Sequence, residues 1–108
     1  MSVMATARTA VAAYPHIEKT PGVCGGKPCI EGTRIRVLDI AGRHRRGIKP
    51  EDMLDTYAVR LTLAQVYSAL AYYHDHKAEI EAEIREDRKV AAQIERGQAR
   101  FLKQRRAR

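Results

Sequence analysis

The side chains that most often carry out chemistry are sparse here and do not combine into a catalytic or metal site. Cys24 and Cys29 are five positions apart, too short a loop for a disulfide to stabilise a fold, and no second cysteine pair completes a zinc site. His74 and His76 have no carboxylate partner at ligand spacing. The nearest aspartates fall on different predicted helices: Asp39, Asp52, Asp55 and Asp75. We therefore expect no catalysis by this chain, no metal and no cofactor.

Positive charge is the property that the sequence does concentrate. The chain has 20 Lys and Arg against 13 Asp and Glu, a formal net charge of +7. Residues 77–108 contain ten cations and six acids, and residues 96–108 contain six cations and no acid. A cationic segment of this kind is typical of an arm that contacts nucleic acid phosphates or an acidic pocket on another protein.

The size and composition predict one small domain. A chain of 108 residues with 44% hydrophobic residues buries only part of its surface, so a long charged segment must lie outside the core. Its apolar runs are far shorter than the roughly 20 residues that cross a bilayer. Residues 1–15 include Arg8 and lack a clean cationic leader. We therefore expect a cytoplasmic protein that does not enter a membrane.

The first third of the chain is rich in proline and glycine. Residues 1–13 have no fixed hydrophobic period and are interpreted as an N-terminal arm. From residue 14 to 37 the spacing leaves room only for short strands. One is predicted at 16–20, and a tight hairpin joins 28–30 to 34–37. A nucleotide site in this block is disfavoured, because no Gly-Lys-Ser/Thr run opens a helix.

Three helices are predicted between residues 37 and 76. The first begins at Val37 and ends with the cations of residues 43–46 and Gly47. The second opens at Pro50 and is about two turns long. Thr62 and Gln65 have the spacing of a capping box that begins the third helix. Its apolar face repeats at helical intervals: Leu63, Val66, Leu70 and Tyr73.

Two helices joined by a tight bend have the outline of a helix-turn-helix unit, whose last helix enters the DNA major groove. The last helix is expected to expose Gln65, Ser68, Ala69 and Tyr72, which offer polar groups but no cation to base edges. Packing of this helix in the core and at a dimer seam is the alternative. Five arginines are candidates for phosphate contacts: Arg34, Arg36, Arg43, Arg45 and Arg46.

Residues 77–108 form a charged segment with a narrow apolar stripe. Spacings of four and three connect Ile80, Ile84, Asp87, Ala91, Ile94, Gln98 and Phe101. So narrow a stripe buries little surface by itself. We expect either a solvated helical tail or short dimeric coiled coil, or an arm that inserts its apolar side chains into a groove on a partner.

The block from Pro21 to Val37, with its Gly-Gly-Lys-Pro-Cys-Ile-Glu-Gly-Thr-Arg-Ile-Arg-Val run, resembles the DUF433 family. Pro50-Glu51-Asp52 and Leu61-Thr62 extend the resemblance over about residues 15–75. It implies a mainly α fold, a homeodomain-like helix-turn-helix preceded by a short β-hairpin, and we assign both to one domain over residues 14–76. The charged segment over 77–108 is predicted from its own composition to follow as a C-terminal helical tail. Members are usually dimeric. Val59-Arg60 stand where the family often has a proline.

Many members of that family resemble VapB45-like antitoxins, which silence a PIN-like ribonuclease toxin. The resemblance implies a toxin-antitoxin system in which the tail binds the toxin and the dimer binds operator DNA. Eight residues are then candidates for toxin contact: Ile80, Ile84, Ile94, Arg96, Arg100, Phe101, Arg105 and Arg106. Gly97 would permit a bend before the end of the tail. The alternatives are a stand-alone DNA-binding regulator and a structural adaptor that self-associates through the tail.

Overall fold

The computed structural model describes residues 9–11 and 13–106, so most of the predicted arm at residues 1–13 lies outside the described residues. The elements are, in order, β1 (Ile17–Glu18), a 3-10 turn (Cys24–Gly26), β2 (Cys29–Ile30), α1 (Val37–Arg45), a second 3-10 turn (Pro50–Met53), α2 (Leu63–Asp75) and α3 (Lys77–Arg106). The fold is mainly helical with a small antiparallel sheet near the N-terminus, as the sequence predicts.

The sheet pairs β1 with β2, placing Ile17 opposite Ile30. Both isoleucines are buried, so the sheet covers one side of the helical core. The predicted hairpin between 28–30 and 34–37 is reduced to a single antiparallel bridge between Cys29 and Arg36. The pairing stops there because α1 begins at Val37.

A buried carboxylate on β1 fixes the turn that follows β2. Glu18 is 0% exposed, and its carboxylate accepts hydrogen bonds from the Thr20 hydroxyl at 2.8 Å and the Gly32 backbone N–H at 2.9 Å. Gly32 has a φ of +77°, which only glycine adopts readily. Sequence reasoning missed this role of Glu18, because glutamate is usually exposed.

The predicted capping box at the start of α2 is confirmed. The Gln65 backbone N–H donates to the Thr62 hydroxyl at 3.1 Å, and the Thr62 N–H donates to the Gln65 side chain at 2.8 Å. The predicted second helix is a single 3-10 turn instead. Met53 is the only one of its four residues that is buried, so no apolar stripe holds a further helical turn.

The exposed face predicted for the last of these helices, α2, is partly wrong. Ala69 and Tyr72 are 0% and 4% exposed, whereas Leu63, predicted to be buried, is 38% exposed. Tyr72 is covered from both sides of the chain: its ring packs against Tyr14 at 5.1 Å between centroids, and its hydroxyl donates to Glu79 on α3 at 3.0 Å. Buried apolar side chains from all three helices form one core, with Ile40, Val66 and Ile80 each 0% exposed.

The predicted tail is divided between the core and solvent. Ile80 and Ile84 are 0% and 5% exposed and belong to the core, so their expected contact with a partner is corrected. Beyond Asp87, α3 has no buried residue up to Arg106. The Cα radius of gyration is 16.9 Å, whereas a compact chain of this length has about 13 Å. The second half of α3 therefore projects from the core.

Truncation of isoleucines in the two halves of α3 should have unequal effects on stability. Ile80→Ala leaves a cavity in the core and should lower the free energy of unfolding by about 2 to 5 kcal/mol. Ile94→Ala, at a side chain that is 56% exposed, should change it by less than about 0.5 kcal/mol. Urea unfolding followed by circular dichroism measures both, and equal losses would contradict this division of α3.

Candidate functional site

We call the projecting half of α3, residues 88–106, the arm. It is about 28 Å long at the rise of an α-helix and is helical throughout. Its large apolar side chains are half exposed: Val90 at 44%, Ile94 at 56%, Phe101 at 58% and Leu102 at 51%. The helix continues through Gly97, so the bend expected there is absent. A shallow groove on the arm is lined by Ile94, Gly97, Gln98, Phe101 and Leu102.

The arm also carries all four arginines predicted to contact a toxin. Arg96, Arg100, Arg105 and Arg106 are all exposed. Within residues 9–11 and 13–106, no carboxylate lies within ion-pair distance of any of them. The Arg105 guanidinium instead lies 5.9 Å from the centroid of the Phe101 ring. The arm therefore combines unneutralised positive charge with apolar side chains on one helix.

The base of the arm is fixed to α1 by one arginine. Arg36 donates to Asp39 through Nε at 3.2 Å and Nη2 at 3.1 Å, and to Asp87 through Nη1 at 2.9 Å. Burial alone would lower the pKa of Arg36, but the hydrogen bonds to the two carboxylates outweigh it and raise that pKa. Because its guanidinium is occupied in this way, Arg36 is not the free phosphate ligand that the sequence predicted.

The other predicted DNA contacts differ in their availability. Arg34, Arg45 and Arg46 are exposed. Gln65 is used by the capping box, and Ser68 is half-buried on α2. The predicted DNA contacts therefore lie on different elements. Arg34 precedes α1 and Arg45 and Arg46 lie at its end, whereas Gln65 and Ser68 are on α2.

A cleft of about 240 Å³ opens between α1 and α3. Arg43, Arg46 and Arg88 line it together with Gly42 and Tyr57. Arg43 is held in place, since its Nε donates to the Tyr57 hydroxyl at 2.9 Å. Sequence reasoning missed Arg88, because nothing in the periodicity of α3 shows which of its cations faces α1.

A second polar cluster surrounds Glu83 on α3. The Tyr72 hydroxyl donates to Glu79 at 3.0 Å, and Lys19 lies 3.6 Å from the same carboxylate. Burial, followed by the hydrogen bond to Glu79, raises the pKa of Tyr72. Oε1 of Glu83 is buried without a hydrogen-bond partner among the described residues. Burial and the neighbouring Glu79 raise the pKa of Glu83, against the opposing effect of Lys27, Lys19 and Arg36.

Three of the four histidines make ring contacts with neighbouring aromatic side chains, whereas His16 is exposed. The His76 ring stacks on Tyr72 at 4.2 Å between centroids, and His74 contacts His44 edge to face at 5.1 Å. No disulfide joins Cys24 and Cys29, which are half-buried and buried respectively. In the described part of the chain, no three metal-binding side chains come together. Among the helices that the structure describes, none is both long enough and apolar enough to span a bilayer.

Replacement of Glu83 by glutamine should stabilise the protein in a pH-dependent way. Since folding raises the pKa of this carboxyl, the ionised form destabilises the folded state, and the penalty grows as pH rises above the unfolded pKa of about 4.3. Glu83→Gln should therefore raise the free energy of unfolding at pH 7, by less than about 1 kcal/mol because the side chain is partly exposed.

The difference between Glu83→Gln and the parent protein should vanish near pH ~3.5, where the carboxyl is protonated in both states. Thermal unfolding at both pH values measures the difference, with Glu86→Gln at an exposed position of α3 as the control. A glutamine variant less stable than the parent at pH 7 would contradict the raised pKa of Glu83.

Comparisons with known proteins place the core of the chain in a family. The family model described as "Protein of unknown function (DUF433)" matches residues 17–73. The crystal structure of a DUF433 member protein from Anabaena variabilis has a TM-score of 0.58 and 35% sequence identity to this chain, over 64% of this chain and 67% of that one. No curated protein matches the sequence. Because the family model spans more than half of the residues, the chain belongs to the DUF433 family.

Proposed function

We propose that this protein is the antitoxin of a type II toxin-antitoxin system, and that its arm binds and silences a PIN-like ribonuclease. The observation that carries the proposal is the arm itself: a formed helix with exposed apolar side chains and unpaired arginines, fixed to the core at its base. A segment with this composition buries little apolar surface against its own chain, so binding to a partner would stabilise it.

The apolar side chains of the arm supply the affinity. Val90, Ile94, Phe101 and Leu102 each retain roughly half of their surface exposed. Burying the remainder stabilises a complex by about 1 kcal/mol for each side chain. Since the helix is already formed, binding does not have to order the backbone of the arm first. The absence of a side chain at Gly97 lets a partner surface approach the helix between Ile94 and Phe101.

The arginines of the arm supply the specificity. A PIN-like nuclease holds divalent metal with a cluster of carboxylates. A guanidinium forms paired hydrogen bonds with a carboxylate and competes with the metal and with the RNA phosphate. The candidate residues are Arg96, Arg100, Arg105 and Arg106, which have no carboxylate partner among the described residues.

Charge disfavours the rival in which two arms pair in parallel. Residues 96–108 contain six cations and no acid, so two parallel copies would bring like charges together along the whole contact. Juxtaposed like charges cost several kcal/mol in an interface. An acidic partner removes the same repulsion, so the arm fits a nuclease better than it fits a second arm.

DNA binding is the second function that we propose. The alternative to the antitoxin is a protein with this function alone, a helix-turn-helix regulator without a toxin. In this proposal a homodimer uses a homeodomain-like helix-turn-helix in which α2 is the helix that enters the major groove and the 3-10 turn at Pro50–Met53 takes the place of the helix before it. Its support is the group of exposed cations at Arg34, Arg45 and Arg46. These side chains suit phosphates, which position a protein on DNA without reading its sequence.

Removal of the end of the arm should abolish toxin neutralisation without unfolding the protein. Deletion of residues 96–108 removes six cations and Phe101 but no residue of the core. We expect an unchanged thermal midpoint and no rescue of growth when the deletion variant is coexpressed with the PIN-like nuclease encoded beside it.

The matched charge variants separate a docking role from general electrostatics. Arg96→Glu with Arg100→Glu should weaken nuclease binding by at least about 100-fold. The same charge change at Arg34 and Arg85, which are exposed and lie outside the arm, should weaken it by less than about 5-fold. Rescue by the deletion variant equal to that of the full chain, or the absence of a neighbouring nuclease gene, would shift the assignment to the regulator.

DNA binding should depend on salt and on the end of α1. A gel shift with the upstream region of the gene should appear at low salt. Arg45→Gln with Arg46→Gln should lower the slope of log affinity against log salt by about 2, since each lost phosphate contact contributes about 0.9. Arg85→Gln on α3 is the control and should leave the slope unchanged. Failure to shift the DNA at low salt would remove this function.

A further inference from the structure

We propose that the cleft between α1 and α3 is a binding site for a phosphate group. This site requires neither the apolar face of the arm nor a toxin, so with a free nucleotide as its ligand it goes beyond the proposed function. With a nucleic acid backbone as its ligand it rests on the DNA binding proposed above, because Arg46 belongs to both. Three arginines from two helices line the cleft: Arg43 and Arg46 from the end of α1, and Arg88 from α3. Arg43 and Arg46 are three residues apart, a spacing that places them on neighbouring positions of the same helix face.

The positive charge of this cleft is not neutralised from within. Asp39 and Asp87 also line it, but both carboxylates are paired with Arg36 at 3.1 Å and 2.9 Å. Across the described part of the chain, no carboxylate lies within ion-pair distance of the three lining arginines. Arg36 and the three lining arginines therefore share two carboxylates. An anion with several oxygens can accept hydrogen bonds from the guanidinium groups that remain unpaired.

One of the arginines is already oriented for such a ligand. Nε of Arg43 donates to the Tyr57 hydroxyl at 2.9 Å, and the guanidinium carbon lies 5.1 Å from the centroid of the Tyr57 ring. The two terminal nitrogens of Arg43 are then available for a bidentate contact with phosphate oxygens. The Tyr57 hydroxyl accepts this bond through its oxygen, which leaves its own proton for donation to a ligand.

Gly42 is the second observation that indicates a ligand. Glycine inside a helix costs about 0.5 to 1 kcal/mol relative to alanine. The fold does not require it here: Gly42 has no positive φ, and a Cβ at this position would meet no atom within 4 Å. Gly42 lines the cleft beside Arg43 and Arg46. Because Gly42 has no side chain, the cleft keeps the room that a ligand held by these arginines requires.

The shared chemistry of the ligand is a phosphate group, either on a free nucleotide or in a nucleic acid backbone. Titration of the full chain with inorganic phosphate, adenosine monophosphate and a DNA duplex of unrelated sequence, in low-salt buffer and followed by amide NMR, tests the site. We expect saturable shifts at Gly42, Arg46 and Arg88. Saturation by the monophosphate assigns a free nucleotide, whereas shifts with the duplex alone assign backbone phosphate.

Variants of the cleft decide whether the binding is specific to it. Arg46→Gln and Arg88→Gln should each weaken binding by at least about 10-fold. Lys89→Gln, next to Arg88 but not lining the cleft, should change it by less than about 2-fold. Gly42→Met should fill the cleft and abolish binding, whereas Gly42→Ala should fold at least as stably as the parent.

Deletion of residues 96–108 should leave phosphate binding intact, which separates this site from the function proposed for the arm. The proposal is overturned if none of the three probes gives saturable shifts. It is also overturned if Lys89→Gln weakens binding as much as Arg88→Gln does, since the effect would then be general electrostatic attraction.

Discussion

Apolar side chains are buried along the first part of α3 and exposed along the second part, and this difference divides the molecule into a core and a projecting arm. The first three turns of this helix supply Ile80 and Ile84 to a core that also contains Ile40 and Val66. A small chain has a small core, and among the described residues the apolar side chains that follow on α3 stay about half exposed. One continuous helix thus packs in the core at its N-terminal end and exposes apolar side chains at its C-terminal end.

Arg36 connects these two halves to the rest of the molecule. It stands immediately before α1 and pairs with Asp39 in the first turn of α1 and with Asp87 on α3. The second contact lies at the position where burial along α3 ends. It fixes the direction in which the arm leaves the core. It also occupies the carboxylates that would otherwise neutralise the arginines of the neighbouring cleft.

The sequence predicted those features that depend on neighbouring residues. The capping box of Thr62 and Gln65, the end of α1 before Gly47 and the helical tail follow from local spacing and are present. The family resemblance also holds. Features that depend on distant residues were not predictable. The same apolar period covers Ile84 and Ile94, and only the tertiary fold decides that the first is buried. Likewise, the pairing of Arg36 with a carboxylate 51 positions away leaves no local signal.

Amide hydrogen exchange of the full chain without any partner measures how differently the two halves of α3 are held. Amides around Ile80 and Ile84 should be protected close to the level of global unfolding, because they open only when the core opens. Amides from residue 90 to 102 should exchange at least about 100-fold faster, since no side chain of that stretch is buried among the described residues. Equal protection along the whole of α3 at a concentration where the protein is monomeric would show that its second half is packed against its own chain, and would contradict the account.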